Sequence, residues 1–224
     1  MRIKLKKNQV EKIDDYIGDY SSICGIDEVG RGPIAGPVVS CAIIMPNDHH
    51  IEEIKDSKKL SDKKRRILAK EIYKDALAIG FGVVDEQTID DINIRQATLL
   101  SMNLAILDLK DKEMNRITPD LALIDAEQID FDIDQISVIG GDDSVYQISC
   151  ASIMAKVYRD NMMVEYSKEY PEYSFENHKG YGTKAHYQAI DEHGLCKIHR
   201  KTFMKKYYEK IQENNWYHGG GNSL

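Results

Sequence analysis

The chain has 224 residues, 42% of them hydrophobic and 30% charged, with a formal net charge of −7. That length can bury one sizeable core, so a single domain is expected, and the composition excludes a disordered or fibrous chain. No stretch approaches the roughly 20 apolar residues of a membrane-spanning helix, and the basic start Met1–Lys7 leads into no apolar signal core, which makes a cytoplasmic location the economical expectation.

Val10, Ile13, Tyr16, Ile17 and Tyr20 recur at helical spacing and predict a helical N-terminal extension over residues 1–21. Residues 22–28 and 37–45 are short, apolar and partly β-branched, and predict strands joined by a Gly-Arg-Gly-Pro turn. The first strand closes on Asp27 and Glu28, and Gly30-Arg31-Gly32 follows at once. An acidic pair where a buried strand meets a tight turn suggests a divalent-metal site, and the glycines let backbone amides and one guanidinium approach a phosphodiester. The plainer alternative is a turn acid beside a surface arginine. In a regular strand Asp27 and Glu28 face opposite sides, so both reach one cluster only where the strand ends or distorts, as Gly30 allows.

Ser61 opens a charged helix to about Ala78, Ile79–Val84 predicts a third strand, and Ile94–Asp111 a long helix with Ala97, Leu100, Leu104 and Leu107 along one face. Leu121–Asp125 is a second apolar strand ending in an acid, and a short strand is expected over Ile136–Ile139. After Gly141-Asp142 the chain is predicted to be mostly helical, broken by a Lys179–Thr183 loop, and residues 216–224, with three glycines, form a loose tail. Strands in a row followed by strands alternating with helices indicate an α/β protein with a mixed central sheet flanked by helices. Residues 22–215 then make one domain with a helical C-terminal portion.

Charge is segregated. Residues 55–74 carry nine Lys or Arg against three acids, residues 196–210 six against one, and residues 85–143 fifteen acids against four bases. Two basic segments can grip a phosphate backbone that the mean charge would repel, although solvated helix faces account for part of them. Cys24, Cys41, Cys150 and Cys196 form no C-x-x-C pair, and the seven histidines no H-E-x-x-H pattern. Any metal is therefore expected on oxygen ligands, and magnesium or manganese suits carboxylates, water and substrate phosphate.

Taken in order, Ile26-Asp27-Glu28-Val29-Gly30-Arg31-Gly32, Asp56-Ser57-Lys58-Lys59-Leu60-Ser61, the strand ending at Asp125, Gly141-Asp142, the segment Ile148–Asp160, Lys179–Thr183 and Ile198-His199-Arg200 resemble ribonuclease HII, over about residues 22–203. The resemblance implies the ribonuclease H-like fold and a Mn(2+)- or Mg(2+)-dependent endoribonuclease. Such an enzyme hydrolyses the RNA strand of RNA–DNA hybrids and incises 5′ to single ribonucleotides in duplex DNA, leaving 3′-hydroxyl and 5′-phosphate ends, as in ribonucleotide excision repair. Asp27, Glu28, Asp125 and Asp142 match the family's four acids as catalytic and metal-holding residues, with Asp143 the alternative to Asp142. Gly30, Arg31 and Gly32 match the backbone that reads the 2′-hydroxyl, the one group that separates RNA from DNA at a given position. Tyr181 matches the tyrosine that packs on the next sugar. Lys58 and Lys59 are expected on phosphates, and Ser152 and Lys156 at the substrate.

Ser149, Ala151 and Ala155 fit close helix packing, Asp160 a salt bridge or cap, and His199-Arg200 either a phosphate contact or a cap. A monomer is the default. A sliding-clamp contact, which the family's setting allows, finds no Q-x-x-L-x-φ-φ peptide in 211–224 and stays open. A dinucleotide-binding loop at Gly30–Gly36 fails on spacing and on Pro33 and Pro37, which obstruct the required helix. Ribonuclease HIII shares the acids, but Arg31 and the short N-terminal lead favour HII, and a hybrid-binding module without cleavage is unsupported while all four acids are present.

Overall fold

The computed structural model describes residues 1–18, 20–46, 50–54 and 60–209. Apolar strands that cannot stay in water build its centre, a seven-stranded sheet of β1 (Arg2–Leu5), β2 (Ile23–Val29), β3 (Val38–Ile44), β4 (Ala78–Val84), β5 (Lys110–Asp111), β6 (Leu121–Asp125) and β7 (Asp134–Val138). Their order across the sheet is β1-β7-β6-β2-β3-β4-β5. β2, β6, β7 and β1 run parallel to one another, whereas β3, β4 and β5 are antiparallel.

Every residue of β3 is buried, which requires cover on both sheet faces. The two-residue alternation of a strand divides them: Cys41 and Ile43 join a core with Leu68, Ile72, Cys150 and Ala151, while Ala42 and Ile44 join one with Met102, Ala105 and Ile124. Helices α2 (Asp62–Asp75) and α5 (Tyr146–Glu169) therefore lie on one face and α4 (Ile94–Leu107) on the other. α1 (Asp14–Ile17), α3 (Glu86–Ile92), α6 (Phe175–His178) and α7 (Lys184–His193) complete the named helices, and residues 201–209 are also helical. Among the described residues no helix is long and apolar enough to cross a membrane.

Several expectations need correction. Arg2–Leu5 is an edge strand whose Ile3 and Leu5 pack with Ile136 and Val138, and the described residues that follow, to Gly18, form a 3-10 segment (Lys7–Lys12) and the one-turn α1. Four residues that alternate basic and apolar carry too weak a pattern to stand out. The helix from Ile94 stops at Leu107, and Lys110 and Asp111 pair with β4 instead. Its buried face is Ala97, Thr98, Ser101, Met102 and Ala105, while Leu100 and Leu107 are exposed. The reason lies in the opposing strand: a Cβ on Gly82 would stand 1.8 Å from the Ser101 carbonyl oxygen, and one on Gly80 2.3 Å from that of Ala105. Helix and sheet approach so closely that only small residues fit between them.

β2 and α5 meet in the same way, since a Cβ on Gly25 would lie 2.2 Å from the Gln147 backbone. This contact sets the distance between the strand that ends in the acidic pair and the helix that carries Ser152 and Lys156. Gly25→Ala should therefore push the start of α5 off the sheet and destabilise the fold by about 1–3 kcal/mol. Urea unfolding would show the loss as a lower midpoint at unchanged slope.

Candidate active site

Two strand ends and one turn deliver the four acids. Ile26 of β2 is in register with Ile124 of β6, so Asp27 and Asp125 are the next pair along neighbouring parallel strands. β6 ends at Asp125 while β2 continues to Val29 against β3, and over this unmatched edge both Asp27 and Glu28 line one cleft. Asp142 lies in a 3-10 turn, Gly141–Asp143, which Gly140 enters at φ 73°. The Gly141 amide donates to Asp125 Oδ1 at 2.8 Å, tying the two acids' elements together, and the Ser149 hydroxyl donates to the Asp142 carbonyl at 2.7 Å.

The cleft, about 430 Å³, is walled by these four acids together with Arg65, Ser152, Lys156 and Tyr181. Asp142 lines it and Asp143 does not. Asp27 is 5% exposed and Asp142 8%. Burial, reinforced by the charges of Glu28 and Asp125, pushes the Asp27 carboxyl well above its ordinary range, against hydrogen bonds from Ser152 and the Glu28 amide. Burial also raises Glu28, although the Arg31 guanidinium opposes it.

Arg31 is half exposed, its Nη1 3.4 Å from both Glu28 Oε1 and Glu127 Oε1, and Glu127 also meets Arg95 at 3.7 Å. Sequence reading passed over Glu127, whose only signal is its place two residues after Asp125. Arg65 reads in the sequence only as part of the charged helix in the basic segment 55–74, with no signal of a place in the site. Its Nη2 donates to the Leu60 carbonyl at 2.9 Å, leaving the side chain on the cleft wall. Lys156 pairs with Asp160 at 2.7 Å, the salt bridge expected of Asp160.

The two glycines of the Gly-Arg-Gly turn have different neighbours. Gly30, at φ +97°, has no room for a Cβ, which would meet Arg159 Nε at 2.4 Å, whereas the space at Gly32 is bounded by the Tyr181 ring at 3.6 Å. Exposed Tyr181 thus stands beside the Gly-Arg-Gly loop. Its carbonyl accepts from His186 Nδ1 at 2.9 Å, and His186 Nε2 meets His199 Nε2 at 3.0 Å. Burial lowers both imidazoles to about 4, so they are neutral at physiological pH. His199 and Arg200 are buried, which takes both away from a phosphate contact, while Arg200 immediately precedes the helix of residues 201–209 and its carbonyl accepts from the Phe203 amide at 3.1 Å. His199 supports the Tyr181 turn and Arg200 binds the carbonyls of Gly30, Arg31 and Gly36. Lys58 and Lys59, with Asp56 and Ser57, lie outside the described residues.

The donor set fits a hard divalent cation. Glu28 Oε2 is buried without a hydrogen-bond partner, and crowded, desolvated carboxylates hold their charge only when a cation neutralises it. Among the described residues no group of three or more His, Cys, Asp or Glu is arranged to hold a metal by itself.

The family model of ribonuclease HII matches residues 24–209. The ribonuclease HII of Alkaliphilus oremlandii (strain OhILAs) is 51% identical over 187 residues, 84% of this chain and 92% of that protein. Among solved structures, ribonuclease H2 from Pyrococcus horikoshii OT3 has a TM-score of 0.69 at 23% identity, covering 86% of this chain and 98% of that one. Bst-RNase HIII in complex with Mn2+ has a TM-score of 0.58 at 20% identity, covering 77% and 63%. At these identities the two structures are evidence of a shared fold.

Asp27 burdens the metal-free fold. An acid raised in the folded state keeps its proton there while the unfolded chain ionises near 3.8, so stability falls as pH rises from that value through the folded one. Asp27→Asn should raise the melting temperature in chelator at neutral pH by a few degrees. The gain should shrink as the pH is lowered toward 4, as thermal unfolding across a pH series would show.

Proposed function

The chain belongs to the ribonuclease HII family and is a ribonuclease H hydrolase, and from that premise we propose that it cuts the RNA strand of RNA–DNA hybrids and incises duplex DNA on the 5′ side of a single ribonucleotide. The products are a 3′-hydroxyl and a 5′-phosphate. The observation that carries this reading is one cleft that gathers Asp27, Glu28, Asp125 and Asp142 beside the Gly30–Gly32 loop, with Tyr181 against Gly32.

In this reading Asp27, Glu28, Asp125 and Asp142 hold magnesium or manganese. When bound, such an ion supplies Lewis-acid charge to the phosphodiester and makes water a nucleophile near neutral pH. Ser152 fixes the Asp27 carboxylate by a hydrogen bond. Lys156 and Arg65 on the cleft wall, with Lys58 and Lys59, bind phosphates, which position the duplex without reading its sequence. The Gly30–Gly32 backbone meets the ribose 2′-hydroxyl, and a site built on one hydroxyl strongly rejects a sugar that lacks it. Tyr181 packs on the following deoxyribose, which makes the RNA-to-DNA junction the preferred target. The enzyme works as a cytoplasmic monomer within ribonucleotide excision repair, with residues 22–215 as its catalytic domain.

The test is a labelled DNA duplex with one embedded ribonucleotide, incubated with either metal, beside an all-DNA duplex. A single 5′ incision confined to the first duplex is expected, whereas cutting of long hybrids alone would indicate ribonuclease HIII-like specificity. Asp27→Asn should lose at least about a thousandfold in rate, equivalent to about 4 kcal/mol of barrier, and wild-type turnover by this variant would remove the metal assignment. Arg31→Ala should lower kcat/KM roughly tenfold, mostly through KM, as expected for lost uniform binding.

A further inference from the structure

Two guanidinium groups lie in the interior behind the recognition loop. Arg159 of α5 and Arg200 are both 0% exposed, and their polar hydrogens go to backbone carbonyls. Arg159 donates to Pro37 at 2.8 Å, Lys179 at 2.9 Å and Ala35 at 3.1 Å. Arg200 donates from Nε to Gly36 at 2.9 Å, from Nη2 to Gly30 and Gly36, both at 2.6 Å, and from Nη1 to Arg31 at 3.2 Å. Burying two like charges is costly, and a fold that needed only bulk here would do better with apolar side chains. The hydrogen-bonding pattern indicates what the charges are used for.

In a trans peptide the carbonyl of one residue and the amide of the next point in opposite directions. Arg200 draws the Gly30 and Arg31 carbonyls inward, so the Arg31 and Gly32 amides are turned outward, side by side. The same loop is bound to the turn that carries Tyr181: the Ile34 and Ala35 amides donate to the Gly180 carbonyl at 2.9 and 3.3 Å, and Arg159 grips both segments through Ala35 and Lys179. The fit is close, because a Cβ on Gly30 would stand 2.4 Å from Arg159 Nε and one on Gly180 2.3 Å from the Ala35 carbonyl.

We infer that Arg159 and Arg200 are positioning residues for sugar discrimination, holding the Arg31 and Gly32 amides outward and fixing their separation from Tyr181. The inference rests on the reading of Gly30–Gly32 as the ribose contact. It concerns a fork that binds several carbonyls at once, which a lysine of equal charge does not reproduce.

The test is equilibrium binding, with magnesium, in the non-cutting Asp27→Asn protein. Two labelled duplexes are compared, one all DNA and one identical except for a single ribonucleotide. The parent is expected to prefer the second, and adding R200K should shrink that preference roughly tenfold, as loss of well-aligned hydrogen bonds does. Affinity for the all-DNA duplex should stay within about twofold, because phosphate attraction depends on charge that lysine retains. A folded R200K protein that keeps the full preference overturns the inference and leaves the ribose reading intact. A parent without any preference removes the ribose reading, and the inference with it. If R200K does not fold, R159K decides by the same ratio, since its side chain holds the loop by two hydrogen bonds, to Pro37 and Ala35. Global unfolding of both variants, judged by thermal melts, also overturns the inference, because it would make the pair part of the core rather than a staple on one loop.

Discussion

Asp27 and Asp125 stand side by side on neighbouring parallel strands, with Glu28 and Asp142 at the same cleft and water largely excluded from Asp27 and Asp142. Mutual repulsion in a desolvated place is unfavourable, and the rest of the structure is arranged around keeping these groups together. Strand pairing fixes two of them, the Gly141 amide ties the Asp142 turn to Asp125, and Ser149 and Ser152 of α5 hold the backbone of one acid and the side chain of another. The sheet and α5 supply this rigidity because their contact at Gly25 leaves no slack. The carboxyl groups are gathered in advance, and a cation that neutralised them would relieve the electrostatic cost of holding them together.

A second rigid unit lies beside the first. The loop from Gly30 to Pro37 has little regular structure of its own, yet the carbonyls of Gly30, Arg31, Ala35, Gly36 and Pro37 are bound by two buried arginines and the amides of Ile34, Ala35 and Gly36 by neighbouring carbonyls. The turn at Gly180 is joined to it, and the neutral His186–His199 pair supports Tyr181 from below. The acidic cleft and the Gly30–Pro37 loop thus meet where β2 ends, and α5 serves both, through Ser149 and Ser152 for the acids and Arg159 for the loop. Binding surfaces carried by loops are usually the mobile part of a protein, and here the loop is clamped from within.

The sheet was legible in the sequence wherever a strand was long and apolar. Ile23–Val29, Val38–Ile44 and Leu121–Asp125 fall within a residue or two of their predicted limits, because full burial leaves runs that no helix period explains. Arg2–Leu5 was not legible, since an edge strand of four residues shows alternation too brief to separate from a basic terminus. The packing face of α4 was misjudged for another reason. Leucines at helical spacing look like a core stripe, and only the presence of Gly80 and Gly82 across from Ser101 and Ala105 makes the small-residue face the buried one.

By itself the sequence determined the fold class and singled out the four acids and the Gly-Arg-Gly loop as the proposed site, because these readings depend on residue types in a set order along the chain. Which residues surround that loop was decided by the tertiary structure alone. Arg159 and Arg200 look like surface bases in a charged helix and a basic segment, and Glu127 and Arg65 like any members of their charged stretches. Their roles depend on contacts between residues more than 90 positions apart, from Arg31 to Glu127 and from Gly30 to Arg200. Chain periodicity reports which side of an element is buried, and it carries no information about what stands on the other side of the interface.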